Sequence, residues 1–149
     1  MYIAVCDDEA TELNDIDALL HVWETERNIP LRRKLFQSAM ELMEVARQER
    51  FTLYLLDVLM PAISGMDAAH EIRTFDCAAD MVFLTSAPEF ACESYRVQAL
   101  DYLLKPVDKE LLFSLLDRLH RREQRPQEAL TLKTSTTVLR IPFSELSFV

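Results

Sequence analysis

Glycine is nearly absent: the chain of 149 residues has a single one, Gly65. A phosphate-cradling P-loop and a dinucleotide-binding turn each need several glycines at set offsets, so both are excluded. Cysteine is sparse. Cys6, Cys77 and Cys92 have no metal-ligand spacing, and the odd count favours free thiols. Cys6 ends an apolar run and reads as buried filler, with a redox switch as the sharper alternative. No apolar run reaches the roughly 18 residues of a transmembrane helix. Met1 leads straight into strand-like "YIAV" without the regions of a signal peptide. A cytoplasmic protein with no membrane partner is expected. Positive charge is also short: 16 Lys and Arg stand against 25 Asp and Glu, a net charge of −9. The whole chain therefore lacks the cationic surface of a free-standing nucleic-acid binder, and suits a protein that gathers cations locally.

Half of the residues are hydrophobic, enough for one domain with a substantial core. Strand and helix signals alternate. Strands are expected at "YIAVC" (2–6), "LRRKLFQ" (31–37, edge-like), "FTLYLLD" (51–57), "DMVFLTSA" (80–87) and "ALDYLLKP" (99–106). Helices are expected over 9–28 (Leu13, Ile16, Leu19, Leu20, Trp23), 38–49 (Met40, Met43, Val45), 64–75 (Met66, Ala69, Ile72, Phe75), 88–98, and 108–124. The last has Asp108 as N-cap and Leu111, Leu112, Leu115, Leu116 and Leu119 on one face. Such alternation gives an α/β domain whose parallel sheet is covered on both faces and joined by right-handed crossovers. Polar "EQRPQEA" (123–129) reads as a linker. Residues 130–149 carry Thr-rich strand signals, a β tail too short to bury a core alone.

In open α/β sheets, ligands bind beyond the carboxyl ends of the strands. Asp7 and Asp8 end the first strand, Asp57 the third, Thr85 and Ser86 the fourth, and Lys105, followed by Pro106, the fifth. Singly, the aspartate pair could be a helix cap, Thr85–Ser86 a helix start and Lys105–Pro106 a surface turn. Asp57 is harder to dismiss, because an acid at the end of so apolar a strand is costly to desolvate. Clustered carboxylates repel one another, and a hard divalent cation relieves this. Mg²⁺ takes a few carboxylates and accepts phosphate oxygens. A carboxylate can attack a phosphoryl group to give an acyl phosphate, with Lys105 and Thr85 on its oxygens. Asp57 is then the phosphorylated residue.

The elements "VCDDE", "LLDVLMPAISGMD", "FLTSA" and "DYLLKP", in this order and spacing over residues 1–122, resemble the response-regulator receiver domain of two-component signalling. The resemblance implies a flavodoxin-like (βα)5 fold, a doubly wound five-stranded parallel sheet of order 2-1-3-4-5. It implies Asp57 as phosphoacceptor, Asp7 and Asp8 as the acidic pair at Mg²⁺, with Asp8 the more direct ligand, and a metal-bound backbone carbonyl at Leu59. It further implies Lys105 as the phosphate-contacting lysine, Thr85 as switch hydroxyl, Tyr102 as switch aromatic and a cis Lys105–Pro106 bond. A sensor histidine kinase is the implied phosphodonor, and homodimerisation on phosphorylation the implied response. Leu59 and Ala87 depart from the most reactive members: neither side chain can orient a hydrolytic water. Residues 130–149 resemble the start of a LytTR-type DNA-binding domain, as in a transcriptional regulator truncated early in that domain. DNA would be reached only through a region beyond Val149.

Two other functions compete. A stand-alone receiver would act by protein contact, against which the strand-rich tail counts. An aspartyl-phosphate phosphatase of the haloacid-dehalogenase type needs a second acid two residues after its nucleophile, where this chain has Leu59. Self-catalysed phosphotransfer and slow dephosphorylation, rather than turnover, are expected.

Overall fold

The computed structural model describes residues 1–86 and 95–124. The chain divides into two compact units, Met1–Phe113 and Ser114–Val149. The sheet and everything at its edge belong to the first. The described part of the second, residues 114–124, continues the last helix. The elements are β1 (Tyr2–Cys6), α1 (Ala10–Arg27), β2 (Arg32–Phe36), α2 (Ala39–Gln48), β3 (Leu53–Leu56), α3 (Gly65–Phe75), β4 (Asp80–Thr85), a 3-10 turn (Tyr95–Val97), β5 (Asp101–Leu104) and α4 (Lys109–Gln124). All strand pairs are parallel, in the order β2-β1-β3-β4-β5. This is the doubly wound flavodoxin-like arrangement expected from the sequence.

Burial explains why the central strands read as unbroken apolar runs. Ile3, Ala4, Leu53, Tyr54, Leu55, Leu56, Met81, Val82 and Phe83 are sealed from solvent, as strands covered on both faces must be. Successive side chains alternate in direction. Ala4, Cys6, Tyr54, Leu56, Met81 and Phe83 share a core with Leu42 and Ala46 of α2 and Met66, Ala69 and Ile72 of α3. On the opposite face α1 buries Leu13, Ile16, Leu20 and Trp23. Arg27 lies over the Trp23 and Phe113 rings, at 5.7 and 5.1 Å from their centroids, tying the end of α1 to the start of α4. β2, with Arg32, Arg33 and Lys34 in succession, is an edge strand blunted by charge.

Helix ends follow local chemistry. Ser38 and Ser64 accept hydrogen bonds from the amides of Glu41 and Asp67, capping α2 and α3. Asp108 accepts from Glu110 and Leu111 at the start of α4. α1 ends on Asn28 in the left-handed region. Two apolar assignments are corrected. Met40 is exposed, because α2 buries Ala39, Leu42 and Ala46 instead. Leu111 is exposed too, standing a quarter turn from the Leu112 face. The helix expected at 88–98 is described only from residue 95, as the 3-10 turn. α4 ends at Gln124, the expected end of the helix, and so takes the first two residues of the expected linker. The rest of the linker and the β tail lie outside the described residues.

Arg73, in the last turn of α3, braces the approach to β5. Its guanidinium donates to the carbonyls of Ala79 (2.6 Å), Val97 (2.7 Å), Cys77 (3.2 Å) and Gln98 (3.2 Å). One side chain thus satisfies backbone acceptors before β4 and before β5 at once.

Candidate functional site

Cys6, Leu56, Phe83 and Tyr102 stand on one level of the sheet. The ladder continues one residue further. The Asp7 amide donates to the Phe36 carbonyl and the Asp57 amide to the Cys6 carbonyl, both at 3.0 Å. Asp7 and Asp57 therefore leave adjacent strands at the same height. The Lys105 amide donates to the Thr85 carbonyl at 2.9 Å, and the Lys105–Pro106 bond is cis. Gly65 sits where α3 closes on this edge, its amide donating to the Val58 carbonyl. A Cβ there would lie 1.9 Å from the Asp57 carbonyl oxygen. The only glycine is thus where a side chain cannot fit.

Side chains from β1, β3 and β5 meet above the edge. Carboxylate oxygens of Asp7, Asp8 and Asp57 lie within 4.8 Å of one another, and among the described residues they are the group able to hold a metal ion. Asp7 and Asp57 are buried and Asp8 half-buried. Lys105 Nζ enters from β5, at 2.7 Å from Asp7 Oδ2 and 3.4 Å from Asp57 Oδ2. The Leu59 amide faces Asp57 Oδ1 at 3.4 Å, while the Leu59 side chain is half exposed. Thr85 is fully buried at the end of β4. Tyr102, paired with Phe83 two residues before Thr85, has its ring 6.4 Å from that of Phe83. Ser86 is exposed, and Ala87 and Cys92 lie outside the described residues.

The electrostatics follow from crowding in a half-dry edge. Burial pushes the Asp57 carboxyl up to about 6; Lys105 pulls it down and Asp7 pushes it further up. Burial works against the charge of Lys105. Hydrogen bonds to Asp7 and Glu12, and the charge of Asp57, outweigh it and hold its pKa above the ordinary value. Burial, with Asp7 and Asp57 nearby, pushes the Cys6 thiol up to about 12. Its Sγ faces Met60 Sδ at 3.7 Å. Its burial and resistance to ionisation are those of a cysteine packed as filler.

Glu12 is the residue that sequence reasoning missed. It lies in the first turn of α1 and contacts Lys105 Nζ directly. Ninety-three positions separate the two, and nothing in the local pattern distinguishes Glu12 from Glu9 or Asp15. The donor set of Asp7, Asp8 and Asp57 fits Mg²⁺: it offers hard carboxylate oxygens, two buried and one, on Asp8, open toward solvent where waters can be retained.

Known proteins share sequence and fold with this chain. The family model described as response regulator receiver domain matches residues 3–117. The transcriptional regulatory protein ZraR of Klebsiella oxytoca is 31% identical over 112 residues, 74% of this chain and 24% of that protein. The transcriptional regulatory protein YpdB of Escherichia coli is 27% identical over 101 residues, 68% of this chain and 41% of that protein. The chain thus spans less than half the length of these relatives. Among solved structures, the response regulatory domain of mrkE from Klebsiella pneumoniae superposes with a TM-score of 0.72 at 20% identity, covering 84% of this chain and 99% of that one.

Proposed function

The chain belongs to the response regulator receiver family, and from that premise we propose that it takes a phosphoryl group on Asp57 from a sensor histidine kinase, with Mg²⁺, and controls transcription through an attached domain. The observation that carries this reading is the meeting of Asp57 with Asp7, Asp8 and Lys105 at one sheet edge. The Asp57 carboxylate forms a new O–P bond as the donor's bond to phosphorus breaks and its electrons leave with the donor. Lys105 neutralises one phosphoryl oxygen, and the Thr85 hydroxyl donates to another. Asp7, Asp8, Asp57 and the Leu59 carbonyl would hold Mg²⁺, which supplies charge neutralisation between carboxylates and phosphoryl oxygens.

The response follows from packing. Thr85, drawn toward the phosphoryl group, leaves room that Tyr102 beside Phe83 can fill, and a homodimer forms on the β5 side. Both curated relatives described above are named as transcriptional regulators. The strand pattern of residues 130–149 supports a LytTR-type output domain, which would make the DNA contact. We place the protein in the cytoplasm; among the described residues, no helix is long and apolar enough to cross a membrane.

Incubation with a small acyl phosphate tests the reading. Intact-mass measurement should show one added phosphoryl group, lost on adding a chelator before the donor and lost in Asp57→Asn. Phosphorylation that persists in the chelator removes the Mg²⁺ assignment.

A further inference from the structure

Glu12 pairs with Lys105, and its other polar neighbours, Glu9 and Asp7, are carboxylates. It is outside the oxygen set of Asp7, Asp8 and Asp57. Its carboxylate contacts the Lys105 ammonium, and this contact lowers its own pKa. The Lys105 side chain is only 15% exposed, so its ammonium donates mainly to protein carboxylates. Asp7, at 2.7 Å, and Glu12 take the close positions, while Asp57 stands off at 3.4 Å. The ammonium therefore rests on the α1 side of the site rather than over Asp57.

The anchor is firm because α1 is firm. The Glu9 amide donates to Asp7 Oδ1 at 3.0 Å, setting the start of the helix against the end of β1. Leu13 and Ile16, on either side of the next turn, are buried in the core. Glu12 itself lies at the rim of a groove of about 440 Å³, with Ile16, Ser86, Lys105 and Val107. A phosphoryl group on Asp57 would add charge beside Lys105 and demand at least one of its donors. Asp7 can be offset by a cation shared with Asp8 and Asp57. Glu12 has one cationic partner, the ammonium; its other polar neighbours, Glu9 and Asp7, are carboxylates that cannot offset its charge.

We infer that Glu12 is a positioning residue for Lys105: it holds the ammonium back from Asp57 in the resting site and competes with phosphoryl oxygens for it. This rests on the reading of Asp57 as phosphoacceptor. Glu12 thereby limits how tightly the site holds a phosphoryl group, and so how far the resting protein leans toward the switched state.

The probe is beryllofluoride with Mg²⁺, titrated into the full chain and followed by fluorine NMR, in wild type, Glu12→Gln, Lys105→Ala and the double variant. Glu12→Gln keeps the shape and removes the charge. It should tighten beryllofluoride about three- to tenfold, the scale of one charge-assisted hydrogen bond released from competition. In the Lys105→Ala background the same substitution should change affinity less than about twofold, since the competed ammonium is gone. Equal tightening in both backgrounds would mean a general charge effect and overturn the inference. So would unchanged or weaker binding by Glu12→Gln in the wild-type background. A wild-type chain that binds no beryllofluoride defeats the phosphoacceptor reading itself, and the role of Glu12 with it.

Discussion

Asp57→Asn should make the metal-free protein more stable, and the gain should depend on pH. Burial raises the Asp57 carboxyl from an ordinary 3.8 to about 6. A native pKa above the unfolded one means that the folded state binds the proton more tightly. The stability associated with that proton is fully present below the unfolded value and lost as pH rises through about 6. A pKa displaced by about two pH units corresponds to roughly 3 kcal/mol at pH 7.5, roughly 1.5 at pH 5 and roughly 0.5 at pH 4. Asparagine has no charge to desolvate. Its variant should gain about 2 kcal/mol at pH 7.5, because the wild-type site relaxes partly around its charge, and about half that at pH 5. Urea denaturation in a chelator at the two pH values measures it. Saturating Mg²⁺ should narrow the gap by binding the native wild type. A variant no more stable than wild type at pH 7.5, or a gain equal at both pH values, refutes the reasoning.

Gly65→Ala should cost about 3 kcal/mol or more by chemical denaturation, because its Cβ meets the Asp57 backbone and no flexible side chain can yield; a cost below about 1 kcal/mol would mean that the loop gives way. Arg73→Met should cost about 2–4 kcal/mol in the same assay through carbonyls left unsatisfied before β4 and β5; a neutral result contradicts the brace. The phosphorylated protein should decay over minutes or longer. Leu59→Asn, which adds a polar group beside Asp57, should speed decay about threefold or more, read by loss of phosphoprotein in Mg²⁺ buffer. Lys105→Ala should still fold, yet show no phosphorylation-dependent dimer by sedimentation. A wild-type dimer shift retained in that variant contradicts its coupling role.

Much of this was legible in the sequence because buried parallel strands are apolar throughout. A polar residue ending such a strand stands out: Asp7 and Asp57 follow one and Thr85 is the last residue of one, while Lys105 follows the less buried β5. The sheet order followed from resemblance, as strand alternation alone leaves it open. Helix faces were harder. α2 carries more apolar residues than its buried stripe can use, and the stripe is set by packing beside α3, where Ala39, Leu42 and Ala46 fit. Met40 falls off that stripe and is exposed. Leu111 was one residue out of phase in a leucine-rich helix. Glu12 and Arg73 were invisible for another reason. Each acts through partners distant in sequence, Lys105 for one and backbone carbonyls up to residue 98 for the other. Backbone acceptors leave no trace in side-chain pattern.

The most direct test is the position of the acyl phosphate. Borohydride reduces an acyl phosphate to the corresponding alcohol, marking the modified residue covalently. The chain is phosphorylated by a small acyl phosphate in Mg²⁺, reduced, digested and mapped by mass spectrometry. The account predicts reduction at Asp57 and no reduced aspartate in the Asp57→Asn variant. Reduction at Asp7, Asp8 or Glu12 instead, or no reduced residue in a wild-type chain shown to be folded, would contradict it.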